Sequence, residues 1–243
     1  MIVLFTDFGL EGPYIGQVKA VLHRLAPGVA VIDLFADAPA HDPRAAAYLL
    51  AAYAGEFPAE AVFLCVVDPG VGSERTPVVA KADGRHFVGP GNGLFEIALR
   101  RAQAHALARI DWRPERLSAS FHGRDLFAPV AAALACGRPV ATTPLAFDGP
   151  RPGADWPDEL DAVIYVDRFG NAMTGRRAAS LGPKASVAVH GRTLTRARTF
   201  ADVKPGAAFW YENANGLVEI AVNRGRADRL LGLSVGSAIA VKS

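Results

Sequence analysis

The sequence predicts an α/β amino-terminal domain with a mostly parallel sheet, followed by a small all-β carboxyl-terminal barrel. Residues 1–147 alternate short apolar runs with segments of helical periodicity, which is typical of a parallel sheet covered by helices on both faces. Residues 160–243 contain short strand-like runs with little helical periodicity, as small barrels do. Residues 148–159 are rich in Pro and Gly and predict a linker between the two domains.

The elements of the first half are predicted in chain order. The apolar run at 2–5 indicates a buried strand, and Ile15, Val18 and Leu22 fall at helical spacing before Pro27-Gly28 ends the helix. The further elements of this half are a strand at 29–35, a helix from Asp42-Pro43 to Ala54, a strand from residue 61 into the Gly-rich loop that ends at 72, a hairpin around Asp83-Gly84 within 78–93, a helix from Gly93 to about Ala104 and a helix from Arg124 to Cys136.

The second half is predicted as six short strands, each bounded by Gly, Pro or Asn. They lie at 161–167, 186–191, 192–200, 207–213, 216–223 and 237–243. Their close spacing favours antiparallel pairing in a small barrel or sandwich. The two halves therefore differ in architecture, and the chain shows no internal repeat.

Composition limits the class of partner. Of 243 residues, 26 are Lys or Arg and 24 are Asp or Glu, so the formal net charge is +2. This balance leaves no large field for holding nucleic acid or an anionic membrane. The expected partner is a small molecule or another protein. Hydrophobic residues make up 51% of the chain, which excludes a disordered polymer.

The expected location is the reducing cytoplasm. The only cysteines are Cys65 and Cys136, and neither belongs to a CxxC or Cys/His cluster, so no disulfide framework or structural zinc is expected. The first residues lack the basic region and the longer apolar stretch of a signal peptide. No run approaches the roughly 20 apolar residues that span a bilayer. We therefore expect a soluble chain without a membrane partner.

In open α/β sheets, functional groups gather where the carboxyl ends of the strands meet. Asp7 follows the first strand, where its carboxylate can either bind a vicinal diol, such as that of a ribose, or cap the next turn. Its position alone favours neither role. Asp68 follows the third strand, and Arg75 lies across a Gly-rich loop from it. Taken alone, that pair indicates a surface ion pair worth at most about 1 kcal/mol. The loop matches neither a dinucleotide fingerprint nor a Walker A motif.

Three further polar clusters lie on predicted loops. His122, within FHGRD, precedes a predicted helix and has the most crowded polar setting of the six histidines. Residues 167–171 end the first strand of the second domain, and residues 211–216 form a polar turn. An aromatic face, an amide and a carboxylate are the groups that a purine ring and an ammonium group would contact. Each cluster alone is weak, because turns led by Asp or Asn are also common structural devices.

Six motifs stand in order along both halves of the chain: TDFG at 6–9, DPGVGSER at 68–75, GPGNG at 89–93, FHGRD at 121–125, DRFGN at 167–171 and YENANG at 211–216. Together they resemble the S-adenosyl-L-methionine hydroxide adenosyltransferase family, which is related to the bacterial fluorinase and chlorinase. The resemblance implies an α/β domain and a β-barrel assembled as a homotrimer, with the ligand between the first domain of one subunit and the second domain of its neighbour. It also implies that hydroxide from water displaces methionine from C5′ of S-adenosylmethionine and gives adenosine, with no metal and no cofactor.

The resemblance also assigns roles to residues of the matching motifs. Asp68, Arg75 and His122 correspond to the family's catalytic set. The residues that correspond to substrate contacts are Asp7 at the ribose hydroxyls, Phe8 in the first motif, Asn92 in the third, Phe121 near the ribose, Asp167 at the methionine ammonium, Phe169 and Asn171 on the adenine side, Phe200 packing on the adenine, and Asn215 in the turn near the methionine carboxylate.

This chain departs from the halogenases at the nucleophile and at the methionine end. The fluorinase has aromatic residues where this chain has Asp68 and His122, and its fluoride-binding serine corresponds to Gly123. An attacking water molecule must lose a proton, whereas a halide needs a desolvated pocket of hydrogen-bond donors. The presence of Asp68, Arg75 and His122 therefore favours hydroxide over halide. The Ser and Arg that bind the methionine carboxylate in the halogenases correspond to Ala214 and Asn215, so that contact is changed here.

Three other functions stay open from the sequence. One is a halide-dependent adenosyltransferase that forms 5′-halo-adenosine. Another is a non-catalytic sensor that binds S-adenosylmethionine or adenosine. The third, a metal hydrolase that uses Asp68 and His122, is disfavoured because no further His or carboxylate stands at ligand spacing.

Overall fold

The computed structural model describes residues 1–183 and 185–242. It separates into two compact units, Met1–Trp156 and Pro157–Ser243. The division falls inside the segment predicted as a linker, and residues 148–156 belong to the first unit. There the Arg151 guanidinium donates to both carboxylate oxygens of buried Glu96, at 2.8 Å each. This ion pair attaches the irregular Pro- and Gly-rich segment to the first unit, although about half of its residues stay exposed.

The first unit contains a seven-stranded mixed sheet. Its strands are β1 (Ile2–Thr6), β2 (Val31–Phe35), β3 (Val62–Val66), β4 (Pro77–Ala82), β5 (Arg85–Pro90), β6 (His105–Ile110) and β7 (Thr142–Leu145). They lie in the order β2-β1-β3-β5-β4-β6-β7. Neighbours from β2 to β5 pair in parallel, and neighbours from β5 to β7 pair antiparallel. The sheet that the sequence predicts as mostly parallel is therefore parallel across one side only.

The helices of the first unit are α1 (Tyr14–Leu25), α2 (Pro43–Tyr53), α3 (Glu96–Arg101) and α4 (Ala128–Ala135), with a 3₁₀ turn at Ala54–Glu56. The predicted start of α2 is confirmed, because the Asp42 side chain accepts a hydrogen bond from the backbone N–H of Ala45 at 2.9 Å and Pro43 fills the first position. A π-helical turn at Gly123–Phe127 precedes α4. His122 is the N-cap residue of this turn.

The buried core of the first unit surrounds β1 and β3. All residues of both strands are buried, as expected of parallel strands covered on both faces. On one face, Leu4 and Leu64 belong to one cluster with Leu22 of α1 and Val130 of α4. Burial of each such side chain stabilises the fold by about 1.5–3 kcal/mol. This packing fixes the strand ends that carry the candidate site residues.

Strands β6 and β7 depart from the prediction. The helix predicted from Gly93 to Ala104 shortens to Glu96–Arg101, and the following residues form β6, which has a single β-branched residue. Strand β7 contains Pro144, which is tolerated because β7 lies at the sheet edge. The neighbouring hairpin is confirmed as β4 and β5, with positive φ at Asp83 and Gly84. Pairing with this hairpin stabilises β6, which its own pattern does not predict.

The second unit is built from short antiparallel strands. The described strands are β8 (Leu160–Val166), β9 (Ala172–Arg177), β10 (Ser186–Val189), β11 (Arg192–Leu194), β12 (Ala208–Glu212), β13 (Leu217–Val222) and β14 (Ala240–Lys242), with helix α5 (Ala227–Leu231) and 3₁₀ turns at Ala178–Ser180 and Phe200–Asp202. One sheet has the order β12-β13-β9-β8 and the other has the order β11-β10-β14. The predicted barrel is not confirmed, because the described strands are divided between two sheets. The last predicted strand includes Ser243, which lies outside the described residues.

Strand β9 and helix α5 are additional to the predicted elements. Gly175 lies within β9, where a Cβ atom would come within 2.6 Å of the Cβ of Leu160 on β8. Glycine in a strand often marks such a close approach, although in the sequence it indicates a break. The core of this unit is centred on Trp210, Val218 and Ile220. Across both units, no helix of the described chain is long and apolar enough to cross a membrane.

Candidate active site

The loop between β3 and β4 carries Asp68 and Arg75 into a buried ion pair. Nε of Arg75 lies 2.7 Å from Oδ1 and 2.8 Å from Oδ2 of Asp68, and Nη2 also donates to Oδ2. The side chains of Arg75 and Asp68 are only 9% and 4% exposed. The prediction of a surface ion pair, made from the loop sequence alone, is therefore wrong. Removing one partner of a buried pair costs about 3–5 kcal/mol, because the other charge is left uncompensated.

A glycine lets this loop approach the segment before His122. Gly72 has a φ of 81°, and a Cβ atom there would come within 2.9 Å of the carbonyl oxygen of Ala119. Only glycine adopts this backbone conformation without strain and leaves room for the carbonyl. The short distance between the two segments brings the ion pair and the π-helical turn together.

His122 completes the cluster from the start of the π-helical turn. Its Nδ1 lies 3.0 Å from Nη2 of Arg75. Because a guanidinium only donates, Nδ1 accepts this hydrogen bond and the neutral ring carries its proton on Nε2. Burial and then the positive charge of Arg75 lower the pKa of His122, against an opposing contribution from Asp68. The cluster thus holds a carboxylate, a guanidinium and a neutral imidazole.

Asp7 lies directly after β1, next to the end of β3. Its backbone N–H donates to the carbonyl of Val66 at 3.2 Å, and its Oδ2 accepts from the backbone N–H of His41 at 3.0 Å. His41 has a φ of 58°, in the left-handed region that non-glycine residues rarely adopt. Helix α1 has Pro13 at its N-cap, so Asp7 does not cap that helix. Asp7 instead braces the loop that ends at His41.

Three aromatic rings pack together beside this strand end. Ring centroids are 5.7 Å apart for Phe8 and Phe121 and 5.5 Å apart for Tyr14 and Phe121. A Cβ atom at Gly123 would come within 2.9 Å of Cζ of Phe8, so the π-helical turn lies against the cluster. Tyr14 is 49% exposed and is missing from the predicted site. An aromatic residue at a helix start is the signal that could have identified it.

Asn92 connects the loop after β5 to the end of β3. Its Nδ2 donates to the carbonyl of Val67 at 2.9 Å, and its Oδ1 accepts from the backbone N–H of Leu94 at 3.3 Å. Val67 immediately precedes Asp68 in the chain. The Asn92 side chain therefore stabilises the backbone that carries the ion pair.

The turn between β8 and β9 in the second unit carries Asp167, Phe169 and Asn171. Oδ1 of Asp167 accepts from the backbone N–H of Asn171 at 2.8 Å, and Oδ2 accepts from its Nδ2 at 3.0 Å. Asn171 is 7% exposed, whereas Phe169 at the tip is 72% exposed. Neutral donors thus hold the Asp167 carboxylate, and the turn presents an uncovered aromatic ring.

Phe200 and Asn215 lie in a second group of this unit. The ring centroid of Phe200 is 5.4 Å from that of Tyr211 on β12. The backbone N–H of Asn215 donates to Oδ1 of Asn213 at 3.0 Å. Glu219, a buried carboxylate on β13, bonds to both Tyr211 and Asn213 and is missing from the predicted site. A charged residue inside the apolar run LVEIAV is the sequence signal that could have identified it.

The groups that the first unit brings together can orient a water molecule and accept its proton. Within residues 1–183 and 185–242, no group of three or more His, Cys, Asp or Glu side chains could hold a metal ion.

Comparisons with known proteins cover nearly the whole chain. Residues 2–143 match the SAM hydroxide adenosyltransferase N-terminal domain, and residues 161–240 match the C-terminal domain of the same family. A protein of Thermus thermophilus named (R)-S-adenosyl-L-methionine hydrolase is 42% identical over 97% of this chain and 96% of its own. A protein of the same name from Salinispora arenicola is 41% identical over 97% of this chain and 95% of its own.

Two solved structures are similar along their full lengths. An uncharacterized conserved protein from Thermotoga maritima has a TM-score of 0.83 at 31% identity, with 100% of both chains covered. A conserved hypothetical protein from Thermus thermophilus has a TM-score of 0.78 at 39% identity, with 99% of each chain covered. Both domain matches, in the order of the two compact units, lead to one conclusion. The chain belongs to the SAM hydroxide adenosyltransferase family.

Proposed function

We propose that this protein hydrolyses S-adenosyl-L-methionine to adenosine and L-methionine, by attack of water at C5′ of the ribose. The names of its relatives at about 40% identity support the overall reaction. The observation that carries the proposal is the buried Asp68–Arg75 ion pair with the half-buried His122 hydrogen-bonded to it. Its chemistry suits the activation of water.

The chemical difficulty of this reaction lies with the nucleophile. The sulfonium of the substrate leaves as a neutral thioether, so the departing sulfur needs no proton. Bulk water has a pKa of about 15.7, and a fixed positive charge nearby favours its anionic form. Arg75 supplies this charge next to the attacking oxygen. As the C5′–O bond forms and the C5′–S bond breaks, one proton of the water must pass to a base.

The hydrogen bonds within the cluster indicate different roles for Asp68 and His122. Arg75 occupies the Nδ1 lone pair of His122, and Nε2 carries a proton, so the ring has no free lone pair in this arrangement. His122 therefore orients the attacking oxygen through Nε2–H. Asp68 keeps lone pairs on both carboxylate oxygens and accepts the proton of the water. General base catalysis of this kind typically contributes about 10²–10⁴-fold to the rate.

The remaining residues of the proposed site hold the substrate in line for attack. Asp7 binds the ribose hydroxyls, with Phe8 and Phe121 beside the sugar and Asn92 bracing the loop. The residues proposed for the two ends of the substrate are Asp167 at the ammonium, Phe169, Asn171 and Phe200 at the adenine, and Asn215 near the carboxylate. Collinear alignment of oxygen, C5′ and sulfur can supply roughly 7–11 kcal/mol as effective concentration.

The assembly and the location are part of the same proposal. The protein acts in the cytoplasm as a homotrimer, and each site combines the first unit of one subunit with the second unit of its neighbour. S-adenosylmethionine is the substrate, and the reaction uses no cofactor and no metal. The family resemblance supports the assembly and the substrate, and the distribution of the proposed residues over both units is consistent with them. The location is supported by the two cysteines, which belong to no CxxC or Cys/His cluster.

The test is incubation of the full chain with S-adenosylmethionine in H₂¹⁸O, followed by mass spectrometry. We expect equal amounts of methionine and adenosine over many turnovers, with one ¹⁸O in the 5′-hydroxyl. The variant Asp68→Asn should lose about 10²–10⁴-fold of the rate. The matched control is Asp33→Asn, since Asp33 forms an exposed ion pair with Lys19, and it should turn over normally.

The same experiment distinguishes the other functions. Formation of 5′-halo-adenosine in the presence of chloride or fluoride would replace the proposal with a halide-dependent enzyme. One equivalent of product without further turnover would indicate a sensor. Adenosine without the label would exclude attack by water.

A further inference from the structure

Glu219 is a buried carboxylate that forms no ion pair with any of the described cations. It lies on β13 and is 2% exposed. Its Oε1 accepts a hydrogen bond from the Tyr211 hydroxyl at 2.5 Å, and its Oε2 accepts from Nδ2 of Asn213 at 2.8 Å. No cation forms an ion pair with it among the residues that the structure describes. Burial raises the pKa of Glu219, and these two hydrogen bonds oppose that rise.

Glu219 faces away from the core cluster that contains Trp210. The register places Tyr211, Glu219 and Met173 opposite one another across β12, β13 and β9, so their side chains share one face of the sheet. The neighbours Val218 and Ile220 point to the other face and belong to the core cluster. Burying an ionised carboxylate costs several kcal/mol. A position needed only for packing would suit an apolar residue better.

The two hydrogen bonds of Glu219 lead to two residues of the proposed substrate site. Tyr211 contacts the ring of Phe200, with the centroids 5.4 Å apart. Oδ1 of Asn213 accepts from the backbone N–H groups of Asn215 and Leu217 at 3.0 Å each, which closes the turn between β12 and β13. One carboxylate thereby braces both the aromatic ring and the turn.

We propose that Glu219 is a positioning residue of the substrate site, which holds Phe200 through Tyr211 and holds the turn with Asn215 through Asn213. This inference rests on the proposed function, because Phe200 and Asn215 are proposed substrate contacts. A carboxylate suits this role since it offers acceptor oxygens in two directions to two donors. Glu219 supports substrate binding by positioning these residues, and it takes no part in the transfer of the water proton.

The test is the variant Glu219→Met, which keeps the length of the side chain and removes both acceptors. Both hydrogen bonds that position the ring and the turn are lost, so we expect KM for S-adenosylmethionine and Kd for adenosine to rise roughly ten-fold, which corresponds to about 1.4 kcal/mol. The value of kcat should stay within about two-fold, because the water-activating cluster is intact. Glu219→Gln keeps an acceptor for Asn213 and should restore most of the affinity.

The matched control is Glu212→Gln on the neighbouring strand. Glu212 is exposed and lies 3.6 Å from Arg196, and its loss should leave KM, kcat and Kd unchanged. Tyr211→Phe keeps the ring and removes only the hydroxyl, and adenosine should bind several-fold more weakly to it. This second variant decides the question if Glu219→Met does not fold. The measurements are steady-state kinetics and calorimetry, with circular dichroism to verify folding.

The outcomes separate this inference from the proposed function. If the wild-type protein is active and the folded Glu219→Met or Tyr211→Phe variant has the same KM and Kd as Glu212→Gln, the proposed role of Glu219 is wrong. A rise in KM with no rescue by Glu219→Gln, accompanied by an equal loss of kcat, would also overturn it. A wild-type protein that neither cleaves S-adenosylmethionine nor binds adenosine would instead reject the proposed function.

Discussion

Arg75 holds two polar side chains of the candidate site, Asp68 and His122. It pairs with Asp68 through both carboxylate oxygens and donates to Nδ1 of His122. Its ring contact with buried Phe127, 5.2 Å from the guanidinium carbon to the centroid, fixes the guanidinium from another side. An arginine suits this position better than a lysine because its planar fork can satisfy several acceptors at once. The neutral form of His122 follows directly from this arrangement.

The pH dependence of the reaction should report the protonation of His122. Burial and Arg75 lower its pKa below 6.5, so the neutral ring that accepts from Arg75 predominates at neutral pH. As pH falls through this lowered pKa, the ring gains a proton on Nδ1, loses the bond from Arg75 and repels it. We therefore expect kcat/KM to decline only below pH 6.5, and His122→Gln, though slower, to lack this decline.

The control for the pH profile is His86→Gln. The pKa of His86 is also lowered, by burial and then by the charge of Lys81, but His86 is not part of the proposed site. This variant should keep the profile of the wild-type protein. A decline with its midpoint at or above pH 6.5, or one that persists in His122→Gln, would contradict the assignment.

At the scale of elements, glycines mark where strands and turns come into contact. Gly89 on β5 lies beside β3, and a Cβ atom there would come within 2.2 Å of the carbonyl oxygen of Cys65. Gly16 lies in α1, where a Cβ atom would meet nothing within 4 Å. The same substitution at these two glycines should therefore change stability in opposite directions.

We expect Gly89→Ala to destabilise the protein by about 1–3 kcal/mol or more, because backbone must move to admit the methyl group. Gly16→Ala should stabilise it by about 0.5–1 kcal/mol, because alanine loses less conformational entropy in a helix. Thermal and urea unfolding measure both. Equal effects of the two substitutions would show that the close approach of β5 to β3 does not limit residue 89.

The elements that the sequence predicts correctly are those whose pattern is local. The spacing of apolar residues predicts α1, and the Asp42-Pro43 pair predicts the start of α2. Strands β6 and β9 escape prediction because pairing partners, rather than their own composition, stabilise them. The π-helical turn before α4 likewise leaves no recognisable pattern, although His122 is its N-cap.

At the scale of the whole molecule, the proposed site residues are divided between the two compact units. Asp68, Arg75 and His122 belong to the first unit, and Asp167, Phe200 and Asn215 belong to the second. The proposed homotrimer would complete each site with the second unit of a neighbouring subunit. This proposal makes a prediction about mixtures of inactive variants.

A mixture of Arg75→Lys and Asp167→Asn subunits should recover activity. Each variant alone forms only defective sites, but random assembly of equal amounts gives about one quarter of sites with both residues intact. Separately refolded proteins should stay inactive when combined, whereas co-refolded proteins should recover. Light scattering measures the oligomer. Absence of recovery in a co-refolded trimer would place each site within a single chain.

The sequence by itself determined the division into an α/β half and a β-rich half, the family to which the chain belongs and the loops that carry the candidate residues. Each of these follows from local periodicity or from short ordered motifs. Only the tertiary structure decided that the side chains of Asp68 and Arg75 are buried, that Nδ1 of His122 accepts from Arg75 and that Glu219 has no cationic partner among the described residues. Arg75 and His122 are 47 positions apart. Burial and charge at such contacts depend on which distant segments pack together, and no local pattern encodes that packing.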